Sequence, residues 1–515
     1  SLSLARDRFG EKPLYWGIID GHGIAFASEL SAMRKVTPFQ NELDKNAINS
    51  YMHLGYIPAP QCIYKGLEQL PPGHLVQINA SPFGNPPHTL PEPSAWWETG
   101  SIAFQNSSLH KQNSLISSSS IIQSLKDVLQ EAIRIQSISD VPLGSFLSGG
   151  IDSSLITALL QENTVGKVCS FTLSFPDEPG FNEATYAKAI AKHLGTDHTE
   201  VALTAKDAQE IIPSLPDIYC EPFADSSQIL SYVLSKKVKK KIKVALTGDG
   251  ADELFGGYNR HIYAFYLTKI SSILGKNFIN TNFFKKSINL IIPFSEKILS
   301  NVFAYPKTKL DKIKSLINYT NEDDLIDRLI SNKNQYEKLE FKYLNNDKIQ
   351  KINSKNNFHI FEKIIQTDLN NYLVDDILVK TDRSSMKNSL ETRAPFLNKN
   401  IYKFSQNLSN NQKIKNLKGK VFLRNILSKF IPEKLILHKK KGFSYPISDF
   451  FINKNNTKWI SDVLSVKHNS NIDLIKNDLL LKIFDLHKNR KADFSNLLWS
   501  NLVLRLWLKR RDFIS

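Results

Sequence analysis

The stretch SFLSGGIDSS, residues 145–154, breaks an apolar run with two glycines, a carboxylate and several hydroxyls. Val141 to Leu147 is apolar apart from Pro142, Gly144 and Ser145, the pattern of a buried strand. Ser148, Gly149 and Gly150 then end it, and a helix is expected to begin near Asp152. In an open parallel sheet, ligands sit at the carboxyl ends of strands. A glycine pair there lets backbone N–H groups approach a ligand closely. The unpaired N–H groups and positive dipole end of the next helix face the same point. Ser148, Ser153 and Ser154 add hydroxyl donors, which makes an anion cradle suited to phosphate or pyrophosphate. Asp152 would repel that anion unless a divalent metal such as magnesium lies between them. As a simple strand-to-helix turn, the same residues would make Asp152 a helix cap.

The chain has no G-x-x-x-x-G-K-[ST] motif, whose Lys serves transfer at the γ-phosphate. That suits release of pyrophosphate as a unit, with AMP left on the substrate. A second loop repeats the logic. VALTGDGADELFGGY, residues 244–258, follows a strand with Thr247, Gly248, Asp249 and Gly250, then Asp252 and Glu253. It lacks the alternating ligands of a calcium-binding EF-hand loop. An acidic first turn of an ordinary helix would also look like this.

Around these loops the chain divides into three regions. Residues 1–80 have short apolar runs with turns; PLYWGIIDGHGIAFASE (13–29) reads as strand, Asp-Gly turn, strand. Residues 81–114 are rich in Pro, Gly, Ser and Asn and read as a linker. From 115 to 515 the pattern first alternates. Ile121, Leu125, Val128, Leu129, Ala132 and Ile133 recur at helical spacing, and VPLGSFL, VCSFTLSF (168–175) and KIKVALT (241–247) read as strands. Asn182 and Gly195 are the expected caps of a helix carrying Ala187, Ile190 and Leu194. The expected class is α/β, a parallel sheet covered by helices. Beyond about residue 258 the pattern turns mostly helical and ends in Leu497–Leu508 with Trp499 and Trp507.

At 515 residues, two or more domains are expected. A content of 41% hydrophobic and 23% charged residues is that of a globular, water-soluble chain. No membrane span, a cytoplasmic location, and no disulfide framework or zinc site from Cys62, Cys169 and Cys220 are the expectations. Lys and Arg outnumber Asp and Glu by 66 to 50. The lysines are scattered among Asn and Ile, and the dense run Lys236–Lys243 reads as a solvated helix face rather than a nucleic-acid patch.

Taken together, these motifs resemble those of glutamine-dependent asparagine synthetases of the asparagine synthetase B type. SGGIDSS resembles the family's pyrophosphate loop and TGDGADELFGGY its second nucleotide loop. VDDILVKTDRSSMKNSLETRAPFLN (374–398) and KKKGFSYPI (439–447) resemble two further signatures, and ARDRFGEKPLYWG and FASELSAM the end of its glutaminase domain. The resemblance implies a parallel-sheet ATP-pyrophosphatase fold, of the adenine nucleotide alpha hydrolase-like kind, at 115–515. It implies a shortened, β-rich part of an N-terminal-nucleophile glutaminase at 1–80. The implied reaction joins aspartate, ATP and ammonia into asparagine, AMP and pyrophosphate through a β-aspartyl-AMP intermediate, with ATP and magnesium as cofactors. Ser148, Gly149, Gly150, Asp152 and Ser153 would hold pyrophosphate. Leu147 and Leu173 would meet adenine, and Thr247 and Gly248 would line the nucleotide. Asp152 and Asp252 would bind magnesium, Asp249 would orient substrate, and Lys440 would stabilise the adenylation transition state. Glu391 and Arg393 would form a supporting ion pair.

The departures are Thr247 for a frequent Ser, Asp249 for a frequent Glu, and His438 for a frequent Arg before the catalytic Lys. The family's N-terminal Cys and its NGEIYN-like segment have no counterpart, because the pattern is entered just before ARDRFG; Cys62 falls in a connector, PAPQCIYKG. An ammonia-dependent activity without glutaminase turnover, and exposed strand edges in the shortened domain, are the resulting expectations. Two other readings stay open: a related amidotransferase acting on another carboxylate, for instance in surface-polysaccharide biosynthesis, and an RNA-modifying ATP pyrophosphatase. Small-molecule substrates and a possible homodimer are the expected partners.

Overall fold

The computed structural model describes residues 1–19, 23–36, 42–79, 90–99, 117–177, 183–274, 319, 321–331, 360–437, 445–466 and 475–512. Six short strands come first: β1 (Leu2–Ala5), β2 (Tyr15–Ile19), β3 (Gly23–Ala27), β4 (Leu67–Gln69), β5 (His74–Ile78) and β6 (Ser94–Ala95). They form two antiparallel sheets, ordered β1-β5-β6 and β3-β2-β4. Alternation along the strands gives each sheet an apolar face. Leu4, Trp16, Leu70, Val76 and Ile78 pack into one cluster between them. The expected hairpin is β2 and β3, with Tyr15 opposite Ala27 and Ile19 opposite Gly23; its turn lies outside the described residues. Helix α1 (Lys45–Leu54) is capped at its start by the Asp44 side chain and at its end by left-handed Gly55.

The second region holds a parallel sheet of β7 (Leu143–Phe146), β8 (Cys169–Ser174), β9 (Asp197–Ala202), β10 (Val244–Leu246) and β11 (Glu391–Arg393). The order is β11-β10-β7-β8-β9, every pair parallel. The chain runs outward from β7 through β8 to β9, then returns to place β10 on the other side of β7. That reversal opens a crevice at the carboxyl ends of β7 and β10.

Helices cover both faces of this sheet. On one side lie α2 (Ser118–Gln136), α3 (Ile151–Glu162) and α4 (Ala184–Leu194), whose Leu125, Leu129, Leu155, Leu159 and Ile190 share a core. On the other, α5 (Gln228–Val238) buries Ile229, Leu230 and Val233 beside Phe171 and Trp499. Gly195 closes α4 in the left-handed conformation; Asn182, its expected cap, lies outside the described residues. The run Lys236–Lys243 spans the end of α5 and the turn into β10, with Val238 and Ile242 buried and Lys236, Lys237 and Lys240 exposed.

After β10 come α6 (Ala251–Phe255), α7 (Val379–Met386), α8 (Val421–Leu427) and α9 (Ser495–Asp512). A wide helical segment, Asp368–Leu378, leads directly into α7. Helix α9 is buried nearly all round, and it reaches the N-terminal sheets. Its Leu504, Trp507 and Leu508 share a core with Tyr15, Tyr51, Ile63 and Tyr64. Tyr51 donates to the Ser500 carbonyl at 2.7 Å, and Trp507 Nε1 donates to the Cys220 carbonyl at 2.8 Å. The buried carboxylate of Glu221 accepts from the Tyr15 hydroxyl at 2.6 Å and the Ile63 N–H at 2.7 Å. Cys62 and Cys220 are buried and, like Cys169, free. No helix among the described residues is long and apolar enough to cross a membrane. Most of the expected linker lies outside the described residues, but Trp97 packs edge-on against Phe9 and Tyr402.

Asp375, in the wide helical segment, accepts from the Ala59 N–H at 3.1 Å, while its Oδ1 has no hydrogen-bond partner. Burial pushes its carboxyl up to about 7, although Arg6 pulls the other way. A neutral Asp375 therefore favours the folded state at low pH, and that contribution is lost as pH rises through about 7. Unfolding midpoints in denaturant should show Asp375→Asn less pH-sensitive than wild type, gaining roughly 2 kcal/mol relative to it on going from mildly acidic to alkaline buffer.

Candidate functional site

The loops that follow β7 and β10 face each other across a cavity of about 860 Å³. Leu147, Ser148, Gly150, Asp152 and Ser153 line it from the first loop, and Thr247, Gly248, Asp249 and Asp252 from the second. Leu173, at the end of β8, joins them. The sequence-predicted nucleotide residues are thus brought together, except that Gly149 turns behind the loop, beside Tyr186 and Ala187 on α4.

The first loop leaves the N-terminus of α3 without a side-chain cap. Gly149 takes φ +82°, and Gly150 starts α3 with no side-chain cap. The Ser148 and Ser153 hydroxyls lie 3.0 Å apart, and Ser153 Oγ accepts from the Ser148 N–H at 3.1 Å. These bonds hold the turn from inside, so the first amides of α3 are directed at the cavity end of the helix.

Two lysines, both missed from sequence, organise the charges. Lys420 Nζ lies 2.5 Å from Asp152 Oδ2 and 2.6 Å from Asp252 Oδ1. Burial alone would lower its pKa, but the two carboxylates outweigh this and hold it above the ordinary lysine range. Its reach depends on close backbone packing. A Cβ on Gly257 would sit 2.1 Å from Lys420 Cε, and one on Gly419 would sit 2.1 Å from the Gly256 carbonyl oxygen. Lys420 itself adopts φ +57°, a left-handed conformation unusual for a side-chain-bearing residue. Arg424, one turn along α8, also lines the cavity and donates to the Gly419 carbonyl at 3.0 Å.

Lys380 and Asp225 line the same cavity, and Lys380 Nζ lies 2.7 Å from Asp225 Oδ2 and 4.0 Å from Asp376 Oδ1. Burial opposes ionisation of Asp225, yet Lys380 and a hydrogen bond from Asp376 bring it down to about 2. Asp376 is pushed well up, first by burial and then by Asp225, so the proton of this pair resides on Asp376. Asp249 accepts from the Thr247 hydroxyl at 2.9 Å and from Thr381 Oγ1 at 3.2 Å. Burial raises its pKa, and Lys380 moderates the rise.

Glu391 and Arg393 sit on the edge strand β11 and pair at 2.6 Å, away from the main cavity. Arg393 also donates to the Gln136 and Ile138 carbonyls, fastening β11 to the end of α2, while its own carbonyl accepts from the Thr247 N–H at 2.9 Å. Lys440 and His438 lie outside the described residues; Leu437, shortly before them in the chain, lines the cavity.

Magnesium fits this donor set. Asp152 Oδ1 is buried without a hydrogen-bond partner, and two carboxylates converge on one point. Among the described residues no group of three or more His, Cys, Asp or Glu could hold a metal by itself. A magnesium ion here would need phosphate oxygens to complete its coordination.

The fold and cavity define a parallel α/β protein with a crevice at the strand-order reversal. Comparison with known proteins makes this specific. The family model Asparagine synthase matches residues 124–509, and Glutamine amidotransferase domain matches residues 1–87. The chain belongs to the asparagine synthase family. It is 29% identical over 516 residues to asparagine synthetase [glutamine-hydrolyzing] 1 of Bacillus subtilis, covering 98% of this chain and 74% of that protein. It is 27% identical to a putative asparagine synthetase of Mycobacterium tuberculosis, with the same two coverages of 98% and 74%. A third relative, putative asparagine synthetase [glutamine-hydrolyzing] 2 of Methanocaldococcus jannaschii, is 30% identical over 74% of this chain and 69% of its own length.

A Cβ on Gly257 would also fall 1.8 Å from Asp252 Oδ1. Gly257→Ala should therefore displace Asp252 and Lys420 together and weaken binding of magnesium-ATP at least ~10-fold, measured by calorimetric titration.

Proposed function

We propose that the chain makes asparagine by activating the side-chain carboxylate of aspartate with ATP. The observation that carries this reading is the convergence of an uncapped helix N-terminus and two carboxylates on one cavity at the ends of β7 and β10. A carboxylate oxygen attacks the α-phosphorus, the bond from that phosphorus to the bridging β-oxygen breaks, and pyrophosphate leaves. Ammonia then attacks the acyl carbon, and the carbon–oxygen bond to AMP breaks. The amides of α3 and the Ser148 and Ser153 hydroxyls hold the pyrophosphate end. Leu147 and Leu173 hold the adenine, and Thr247 and Gly248 border the nucleotide between them.

Asp152 and Asp252 would hold magnesium, which when bound supplies positive charge to the departing phosphates. Lys420 and Arg424 offer further cations to the same oxygens. Asp249, kept basic by burial, orients the incoming nitrogen and takes its proton. Lys440 serves the adenylation transition state. Glu391 and Arg393 act at a distance, by fixing β11 and through it Thr247.

We also infer that nitrogen enters this chain as free ammonia and that the amidotransferase-like segment does not turn over glutamine. Glutamine hydrolysis in this style needs an activated nucleophile. Burial raises the thiol pKa of Cys62, Cys169 and Cys220 alike, which leaves each a poor thiolate.

The test is to supply ATP, magnesium, ammonia and one carboxylate at a time, and to follow pyrophosphate and AMP. Aspartate-dependent release with asparagine formed is expected. Release only with another acid moves the assignment to a different amidation, RNA-dependent release moves it to nucleic-acid modification, and ADP formation ends it. Asp152→Asn should lower pyrophosphate release by about 100-fold or more. Lys440→Ala should slow the chemical step by a similar factor of about 100 while changing nucleotide affinity only a few-fold. Glutamate release from glutamine should stay at background.

A further inference from the structure

Lys420 stands where a cation is needed whether or not a metal is present. Its ammonium lies between Asp152 and Asp252, at 2.5 and 2.6 Å. The lysine is almost fully buried, held in a left-handed backbone conformation, and its path to the carboxylates is kept open by Gly257. Three segments thus place one charge at one point. Resting on the nucleotide reading above, we propose that Lys420 is a built-in counter-cation that bars free divalent metal from Asp152 and Asp252, so that metal is accepted only together with a nucleotide phosphate.

The physical reason is what becomes of the lysine. A free divalent ion that took its place would strand a buried ammonium without a partner, which is strongly unfavourable. A metal arriving on a polyphosphate brings oxygens that receive the displaced ammonium, so no buried charge is left alone. The protein's own donors also fall short of a metal site: among the described residues no group of three or more His, Cys, Asp or Glu could hold a metal. The orphaned Asp152 Oδ1 is the one oxygen of that carboxylate still lacking a partner. Magnesium sheds water reluctantly and is commonly held by one or two carboxylates plus substrate phosphates. The lysine turns that tendency into a rule of order for this site: nucleotide and metal together, or neither.

Manganese serves as the probe, followed by its free-ion paramagnetic resonance signal during titration of the full chain. Wild type should bind manganese at the Asp152 site weakly by itself, and at least ~10-fold more tightly when the α,β-methylene analogue of ATP is present. Lys420→Met removes the ammonium and should bind manganese alone at least ~10-fold more tightly than wild type. The double variant Lys420→Met, Asp152→Asn should lose that gain, which places the new site. Wild-type protein that binds manganese equally well with and without the analogue, in a manner abolished by Asp152→Asn, would overturn the inference while leaving the nucleotide reading intact. Failure of wild type to bind the manganese complex of the analogue at all would overturn the nucleotide reading itself, and the inference with it. The wild-type comparison does not use Lys420→Met, so the proposal stays testable if that variant is unstable.

Discussion

The two-sided ion pair of Lys420 with Asp152 and Asp252 is the interaction on which the site's geometry rests. It joins the first turn of α3, the first turn of α6 and the start of α8, segments far apart in sequence. Isolated, each of these charges would cost several kcal/mol to bury. Together they neutralise one another, at the price of requiring all three segments to be correctly placed. The Lys380, Asp225 and Asp376 cluster has the same construction, one lysine between two carboxylates. There three groups carry one surplus proton between two carboxylates, which lets Asp225 remain ionised against the lysine.

The loops that carry phosphate chemistry were legible in the sequence because their signal is local. SGGIDSS and TGDGADE place glycines, hydroxyls and carboxylates within one turn of each other, and backbone geometry does the rest. The strands leading into them were legible for the same reason, though KIKVALT shrinks to Val244–Leu246 once only the ladder residues are counted. β9 was harder to see. Its pattern, DHTEVA, is mostly polar because it is an edge strand, paired on one side only with β8. β11 was harder still, since three residues, ETR, carry no period at all.

Lys420 and Lys380 escaped for a different reason. Each is one lysine in a lysine-rich chain, and its meaning lies in a partner that the sequence does not place nearby: 268 positions separate Lys420 from Asp152, and 155 separate Lys380 from Asp225. The only local hint at Lys420 is the glycine before it, whose role becomes plain when Gly419 is seen against the Gly256 carbonyl. Long-range charge pairing is set by topology, and topology is the part of this fold that residue patterns specify least.

The seam between the N-terminal sheets and the synthase region has an engineering consequence. Tyr15 and Ile63 hold Glu221, and Tyr51 holds α9, through hydrogen bonds beside a shared apolar core. Excising the front portion would bare the indole of Trp507 and the flanks of Leu504 and Leu508, and would strip Glu221 of two donors. The synthase portion is therefore poorly suited to being expressed as a free-standing catalyst. A replacement front portion would have to reproduce the donors and the apolar relief of the native one before it could be grafted in.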